Sequence, residues 1–229
     1  DTVYKRDQDF FLEIKYTAKP TERETSGSLA IESDQGLYFI NHDGSDKYKP
    51  TQAWTQGETE ANSCWFPTID SPNERTTQEV FLTVHEKYTT LSNGELVYSK
   101  FNGDSTRTDY WKMDLPHAPY LFMIAVGEFG VYEDQWKDIP VSYYMEKDYA
   151  QYSKDIFGAT PEMLSFFSDK YGVDYVWPKY AQVVVRDYVS GAMENTTASV
   201  FYDDMNVDSR ELIDYHFERI IAHELAHHW

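Results

Sequence analysis

The sequence holds 229 residues, of which 41% are hydrophobic and 26% charged, a balance that fits a globular chain and excludes collagen-like, coiled-coil and wholly disordered readings. Its 39 acidic against 20 basic residues leave a net charge of -19, which repels phosphate backbones and anionic membrane surfaces, so nucleic acid is not an expected partner. The single cysteine, Cys64, can form neither an intramolecular disulfide nor a cysteine-based zinc site and is expected to pack as a small buried hydrophobe. No apolar run approaches the roughly 18 residues of a membrane span, and Asp1 to Phe10 lack the charged-then-apolar plan of a signal peptide, which leaves the compartment open.

In chain order, Phe10, Leu12, Ile14 and Tyr16 alternate with Phe11, Glu13 and Lys15 and predict a half-buried strand. Gly36 to Ile40 and the alternating Val80, Leu82 and Val84 predict further strands. Asn93-Gly94, between Thr89–Leu91 and Leu96–Tyr98, predicts a hairpin, because Asn-Gly takes the positive φ angles of a type I′ turn. Tyr120 to Val126 is continuously apolar, as a strand covered on both faces would be. The acidic run Tyr132 to Asp138 reads as a link, Ile139 to Tyr144 as a strand, and a domain boundary is expected near residue 135. Beyond it, Thr160 caps a helix starting at Pro161, with Met163, Phe166, Phe167 and Tyr171 on its buried face and Gly172 at its end. Ala181 to Val185 is the next strand, followed by the loop Ser190-Gly191 and an extended run from Thr197 to Tyr202. Asp208-Ser-Arg-Glu211 forms a capping box that opens a last helix burying Leu212, Ile213, Phe217, Ile220, Ile221 and Leu225.

That last helix carries His223-Glu224-Leu225-Ala226-His227. Histidines four residues apart lie one above the other on a helix and can aim ring nitrogens at one ion about 2.0–2.1 Å away. Glu224, turned about 100° from His223, stands beside such an ion, where it can take a proton from the attacking water and pass it to the leaving amine. His216 shares the face of His223 but lies about 10 Å along the axis, too far to share the ion. His228 points away from His227 and is assigned to hydrogen bonding.

Gly191-Ala192-Met193-Glu194-Asn195 followed by the histidine-glutamate-histidine run resembles the gluzincin aminopeptidases of peptidase family M one, the alanyl aminopeptidase and leukotriene hydrolase family. Trp177-Pro-Lys-Tyr180 and Trp65-Phe-Pro-Thr-Ile-Asp-Ser-Pro72 resemble further segments of that family, so the resemblance covers most of the chain. It implies an α+β protein: a mainly antiparallel, sandwich-like β domain over residues 1–135, then the first part of a thermolysin-like zinc peptidase domain over residues 136–229. It also implies one zinc ion on His223 and His227, peptide substrates with a free amino terminus, and a cleft lined by Gly191, Ala192, Met193 and Asn195. Glu194 would bind the substrate ammonium, with Glu58 of Gln56-Gly57-Glu58 as a second anchor. A carboxylate so placed would set the first peptide bond at the metal, and Gly191 would let the backbone approach the substrate. The family's third zinc ligand, a glutamate on the next helix, and its oxyanion-stabilising tyrosine have no counterpart up to Trp229. The expectation is therefore a central fragment with an incomplete site and little activity of its own. His228 replaces the family's usual glutamine and Thr68 its cysteine. An endopeptidase or epoxide hydrolase on the same site, and a metal-free interaction module, are the alternatives.

Overall fold

The computed structural model describes residue 3 and residues 5–229; Asp1, Thr2 and Tyr4, part of the opening segment read for a leader, lie outside them. Antiparallel strands dominate, in three sheets. A four-stranded sheet has the order β1 (Leu37–Ile40), β2 (Gln52–Thr55), β7 (Ile124–Gly127), β4 (Thr89–Ser92), and a three-stranded sheet the order β3 (Thr76–His85), β6 (Thr106–His117), β5 (Glu95–Phe101). A five-stranded sheet has the order β11 (Ala192–Met193), β12 (Ala198–Phe201), β10 (Tyr180–Val184), β9 (Ile139–Glu146), β8 (Phe129–Trp136). Within it β10 runs parallel to both β9 and β12, while β8 and β11 are antiparallel to their neighbours. The helices are α1 (Ser153–Phe157), α2 (Thr160–Tyr171) and α3 (Glu218–Ala226). Among the described residues no helix is long and apolar enough to cross a membrane.

Strand β10 of the five-stranded sheet is buried at every position and apolar at all but Gln182. Ala181 and Val183 point into a core shared with Trp54, Leu91 and Ala125 of the four-stranded sheet, whereas Tyr180 and Val184 point into a second core with Ile221 and Leu225 of α3 and Leu164 of α2. A strand with no wet face carries no polar alternation. The first core continues from the amino-terminal strands into Tyr188, Met193, Ala198 and Val200, so both halves of the chain share it.

Several expectations change. Phe10, Leu12, Ile14 and Tyr16 are 66, 69, 48 and 53% exposed in irregular chain, and residues 10–16 join no sheet; alternation encodes which way side chains point, not whether a neighbouring backbone is there to bond. Cys64 is half-buried, not buried. Pro119–Leu121 is a 3-10 turn, which shortens the apolar strand to β7. The acidic run expected as a link is β8, paired along its length with β9. In α2, Ala159 and not Thr160 is the cap; the Thr160 hydroxyl accepts a hydrogen bond from Gln182 Nε2 at 2.8 Å, and Thr160, Leu164 and Ser168 form the buried stripe. Phe166 and Tyr171 are exposed, and Phe167 packs beside Trp229. Gly172 ends the helix at φ +72 as expected. The capping box exists, with Asp208 N donating to Glu211 Oε2 at 2.8 Å and Glu211 N to Asp208 Oδ1 at 3.1 Å. It opens only a 3-10 turn, Glu211–Ile213, and the helix proper begins at Glu218, leaving Ile213 exposed.

Asn93-Gly94 does not close a hairpin, because β4 pairs with β7 and β5 with β6, in different sheets. Gly94 has the positive φ expected, +73, yet the side chain of Asn93 turns inward. Its amide donates to Leu121 O at 2.9 Å and Thr196 O at 2.7 Å, and its oxygen accepts from Met123 N at 2.8 Å. Asn93→Ala leaves three backbone groups without partners in a buried place and is expected to lower unfolding free energy by about 2–4 kcal/mol in urea titrations; a loss under 1 kcal/mol would contradict this bonding role.

His117 is buried against Phe122, ring centroids 4.3 Å apart, with Nε2 3.2 Å from Gln78 Oε1, and burial pushes its pKa down to about 3. The unfolded chain protonates this ring near pH 6.5, so between 6.5 and about 3 the unfolded state binds more protons and stability falls as pH is lowered. The expected contribution is up to about 1.4 kcal/mol per pH unit inside that window, and unfolding curves of His117→Phe over pH 4–7 should be correspondingly flatter.

Candidate active site

Helix α3 forms because Phe217, Ile221 and Leu225, at its N-cap and four and eight residues on, bury one stripe against the five-stranded sheet. The same spacing places His223 and His227 on the solvent side, one turn apart, with Nε2 atoms 3.2 Å from each other. Two nitrogens each about 2.05 Å from one tetrahedral ion stand roughly 3.3 Å apart, so the pair already has the bite of a zinc ligand set. Among the described residues no third His, Cys, Asp or Glu joins them. His216 sits in the connection ahead of α3 and shares an open cavity with His223 without meeting it.

Glu224 faces inward and is only 5% exposed. Burial, and then the negative charges of Glu194 and Glu58, push its pKa up to about 8. Glu58 is itself raised, first by burial and then by Glu194, with His227 opposing. The charges of Glu194 and Glu58 reach Glu224, and those of Glu194 and His227 reach Glu58, so the fold brings Glu58 of the amino-terminal half near Glu194, Glu224 and His227.

Glu194 follows β11, the outermost strand of its sheet. Met193 is buried and pairs with Val200, and its sulfur receives Gln56 Nε2 at 3.4 Å, while the Tyr188 hydroxyl donates to Gln56 Oε1. Gln56 thus ties the segment bearing Glu58 to the segment bearing Glu194. Gly57 allows this approach, since a Cβ there would collide with the Tyr120 carbonyl and the Asn62 side chain. Gly191 is exposed, and a Cβ would meet only Ile220 Cδ1 at 3.7 Å, so packing within the chain does not impose glycine there. Ala192 is half-buried on the edge strand, and Asn195 is buried with neither amide atom partnered among the described residues.

Four participants escape sequence reasoning as site residues. Tyr120 is raised in pKa by burial, then by the charges of Glu194 and Glu58, with Arg75 opposing, which places it near both carboxylates; in the sequence it is one apolar residue in a run. Lys179 is buried, its ammonium donating to Ser92 O at 2.9 Å and to Thr197 O and Oγ1 at 3.1 Å each, and burial pushes its pKa down to about 7 against the pull of Glu95. Thr197 takes a left-handed φ of +68. His228 is buried as well, its pKa held at about 4 by burial against the backbone carbonyls of Glu224 and Asn195. In the sequence only its adjacency to His227 marks it, for hydrogen bonding at the surface or beside the histidine pair, and the structure buries it.

A peptidase M1 N-terminal domain model matches residues 2–121, and a peptidase family M1 domain model matches residues 156–229. Similar proteins include glutamyl aminopeptidase of Bos taurus, 26% identical over 99% of this chain and 25% of that protein. Aminopeptidase M1 of Arabidopsis thaliana is 30% identical over 85% of this chain and 22% of that protein. Aminopeptidase A of Gloydius brevicauda is 27% identical over 98% of this chain and 23% of that protein. The chain thus spans about a quarter of the length of the relatives it matches.

Proposed function

The chain belongs to peptidase family M1, and from that premise we propose that it carries part of a zinc aminopeptidase site in which His223 and His227 hold the ion, Glu224 moves the proton, and Glu194 with Glu58 receives the substrate's ammonium group. The observation that supports this most directly is the 3.2 Å pair of Nε2 atoms with three carboxylates gathered beside it. When bound, the ion supplies Lewis-acid polarisation of the scissile carbonyl and acidifies a water at neutral pH. Glu224, facing inward between the two histidine positions, is suited as a carboxylate to accept a proton from that water and release it to the leaving nitrogen. Glu194 and Glu58 neutralise a free amino terminus and set the first peptide bond against the histidine pair. The open edge of β11, with Gly191, Ala192 and Met193, offers backbone groups to an extended peptide, and Asn195 follows directly after Glu194.

In the full-length protein, zinc removal by a chelator should abolish hydrolysis of free-amine aminoacyl substrates, and zinc should restore it. Equal hydrolysis of amino-acetylated peptides would instead favour the endopeptidase. Because only two ligand side chains converge among the described residues, the 229-residue chain alone is expected to hold zinc weakly and turn over little peptide. Stoichiometric zinc after dialysis against a chelator would contradict that. We place the division between the two modules just ahead of β8, near Gly127, since β8 belongs to the five-stranded sheet.

A further inference from the structure

The residue after the second histidine does something that its position in sequence does not announce. His228 is 9% exposed, packed with its ring 5.0 Å from Tyr180 and 5.9 Å from Tyr175. Its Nδ1 lies 3.1 Å from the carbonyl oxygen of Glu224, and its Nε2 lies 3.2 Å from the amide nitrogen of Thr197. A carbonyl only accepts and an amide N–H only donates, so the two contacts together require a neutral ring with the proton on Nδ1. The ring is therefore a strap with one end on the backbone of Glu224 and the other three residues past Glu194.

Thr197 is held from two further sides. Its Oγ1 accepts from Gly94 N at 2.9 Å, and its carbonyl accepts from Ala181 N at 2.8 Å as well as from Lys179. The turn that joins it to Glu194 is closed by Ala198 N donating to Asn195 O at 2.9 Å. The strap thus ends on a fixed point shared by β10 and the Asn93-Gly94 turn, not on a loose loop.

We propose that His228 is a positioning residue: through its Nδ1–H tautomer it registers Glu224 against the Glu194–Thr197 segment, so that the group that moves the proton and the group that receives the substrate ammonium keep one spacing. This rests on the proposed aminopeptidase reading. A misplacement of about 1 Å between reacting groups costs on the order of 10²-fold in rate, which makes such a strap matter to turnover more than to binding.

The test uses the full-length protein with its zinc content measured alongside. His228→Leu, similar in bulk but without either bond, should lower kcat at least tenfold with KM changed less than threefold and zinc retained. His228→Gln, whose carboxamide carries one donor and one acceptor, should recover most of that loss. A Leu variant within twofold of the parent, or a Gln variant as impaired as Leu, at unchanged zinc content, would overturn the proposal. A second measurement needs no variant: ring nitrogen-15 shifts of His228 in the wild type should show Nδ1 protonated and Nε2 bare, and the opposite tautomer would overturn the strap even if His228→Leu failed to fold. An inactive wild type would instead overturn the aminopeptidase reading, and with it the positioning role.

Discussion

Glu224→Gln in the full-length protein is expected to reduce kcat on free-amine peptides by about 10²–10⁴-fold, the usual worth of a positioned acid–base group, with zinc content and KM little changed. The amide matches the carboxyl in size and leaves the packing of α3 intact, so a folding defect would not explain the loss. Glu224 is 5% exposed and its carboxyl, crowded by Glu194 and Glu58, is pushed up to about 8. Exchange for an uncharged amide removes this crowding, so the metal-free variant should be no less stable than the parent at neutral pH. A Gln variant retaining a tenth or more of the parent kcat would remove Glu224 from the proton-moving role.

Glu194→Ala tests the other half of the site. Truncating one partner of a hydrogen-bonded charge pair costs roughly 2–5 kcal/mol, so kcat/KM on free-amine substrates should fall about 30- to 5,000-fold. Amino-acetylated substrates, which carry no ammonium, should lose nothing, and the ratio between the two substrate types should shrink by the same factor. Glu58→Ala should act in the same direction with a smaller effect, because Glu58 lies in a loop at the cleft and not at the end of a paired strand. If Glu194→Ala lowered both substrate types equally, the residue would be structural and the aminopeptidase reading would lose its anchor.

What was legible in the sequence was what depends on local geometry. His223 and His227 stand one turn apart on the exposed side of α3 because helical spacing alone puts them there, and Glu224 turns inward by the same rule. Strands that carry one wet face or none, such as β3 and β10, also follow from their side chains. What failed depends on partners distant in the chain. Gly94 takes the left-handed φ of a hairpin turn but Asn93 does not, and the strand beside β4 is β7, more than thirty residues on. Of the face predicted for α2, Met163 and Phe167 do pack against the core, but Phe166 and Tyr171 are exposed and the fully buried stripe is Thr160, Leu164 and Ser168. The approach of Tyr120 to Glu194 and the contact of His228 with Thr197 join segments that no periodicity connects.

The core shared by the two halves bears on how this family can be recombined. Trp54 stacks on Tyr38 and sets its edge against Tyr188, and its indole N–H donates to Arg186 O at 3.0 Å, so a tryptophan from the amino-terminal strands is seated in the peptidase half. A chimera that takes its first 127 residues from one relative and the remainder from another would cut through this contact, while most of the visible surface stayed intact. Such a hybrid would need Trp54, Tyr188 and Met193 drawn from the same parent, and the crossover that looks cleanest along the chain is the one that divides the interior.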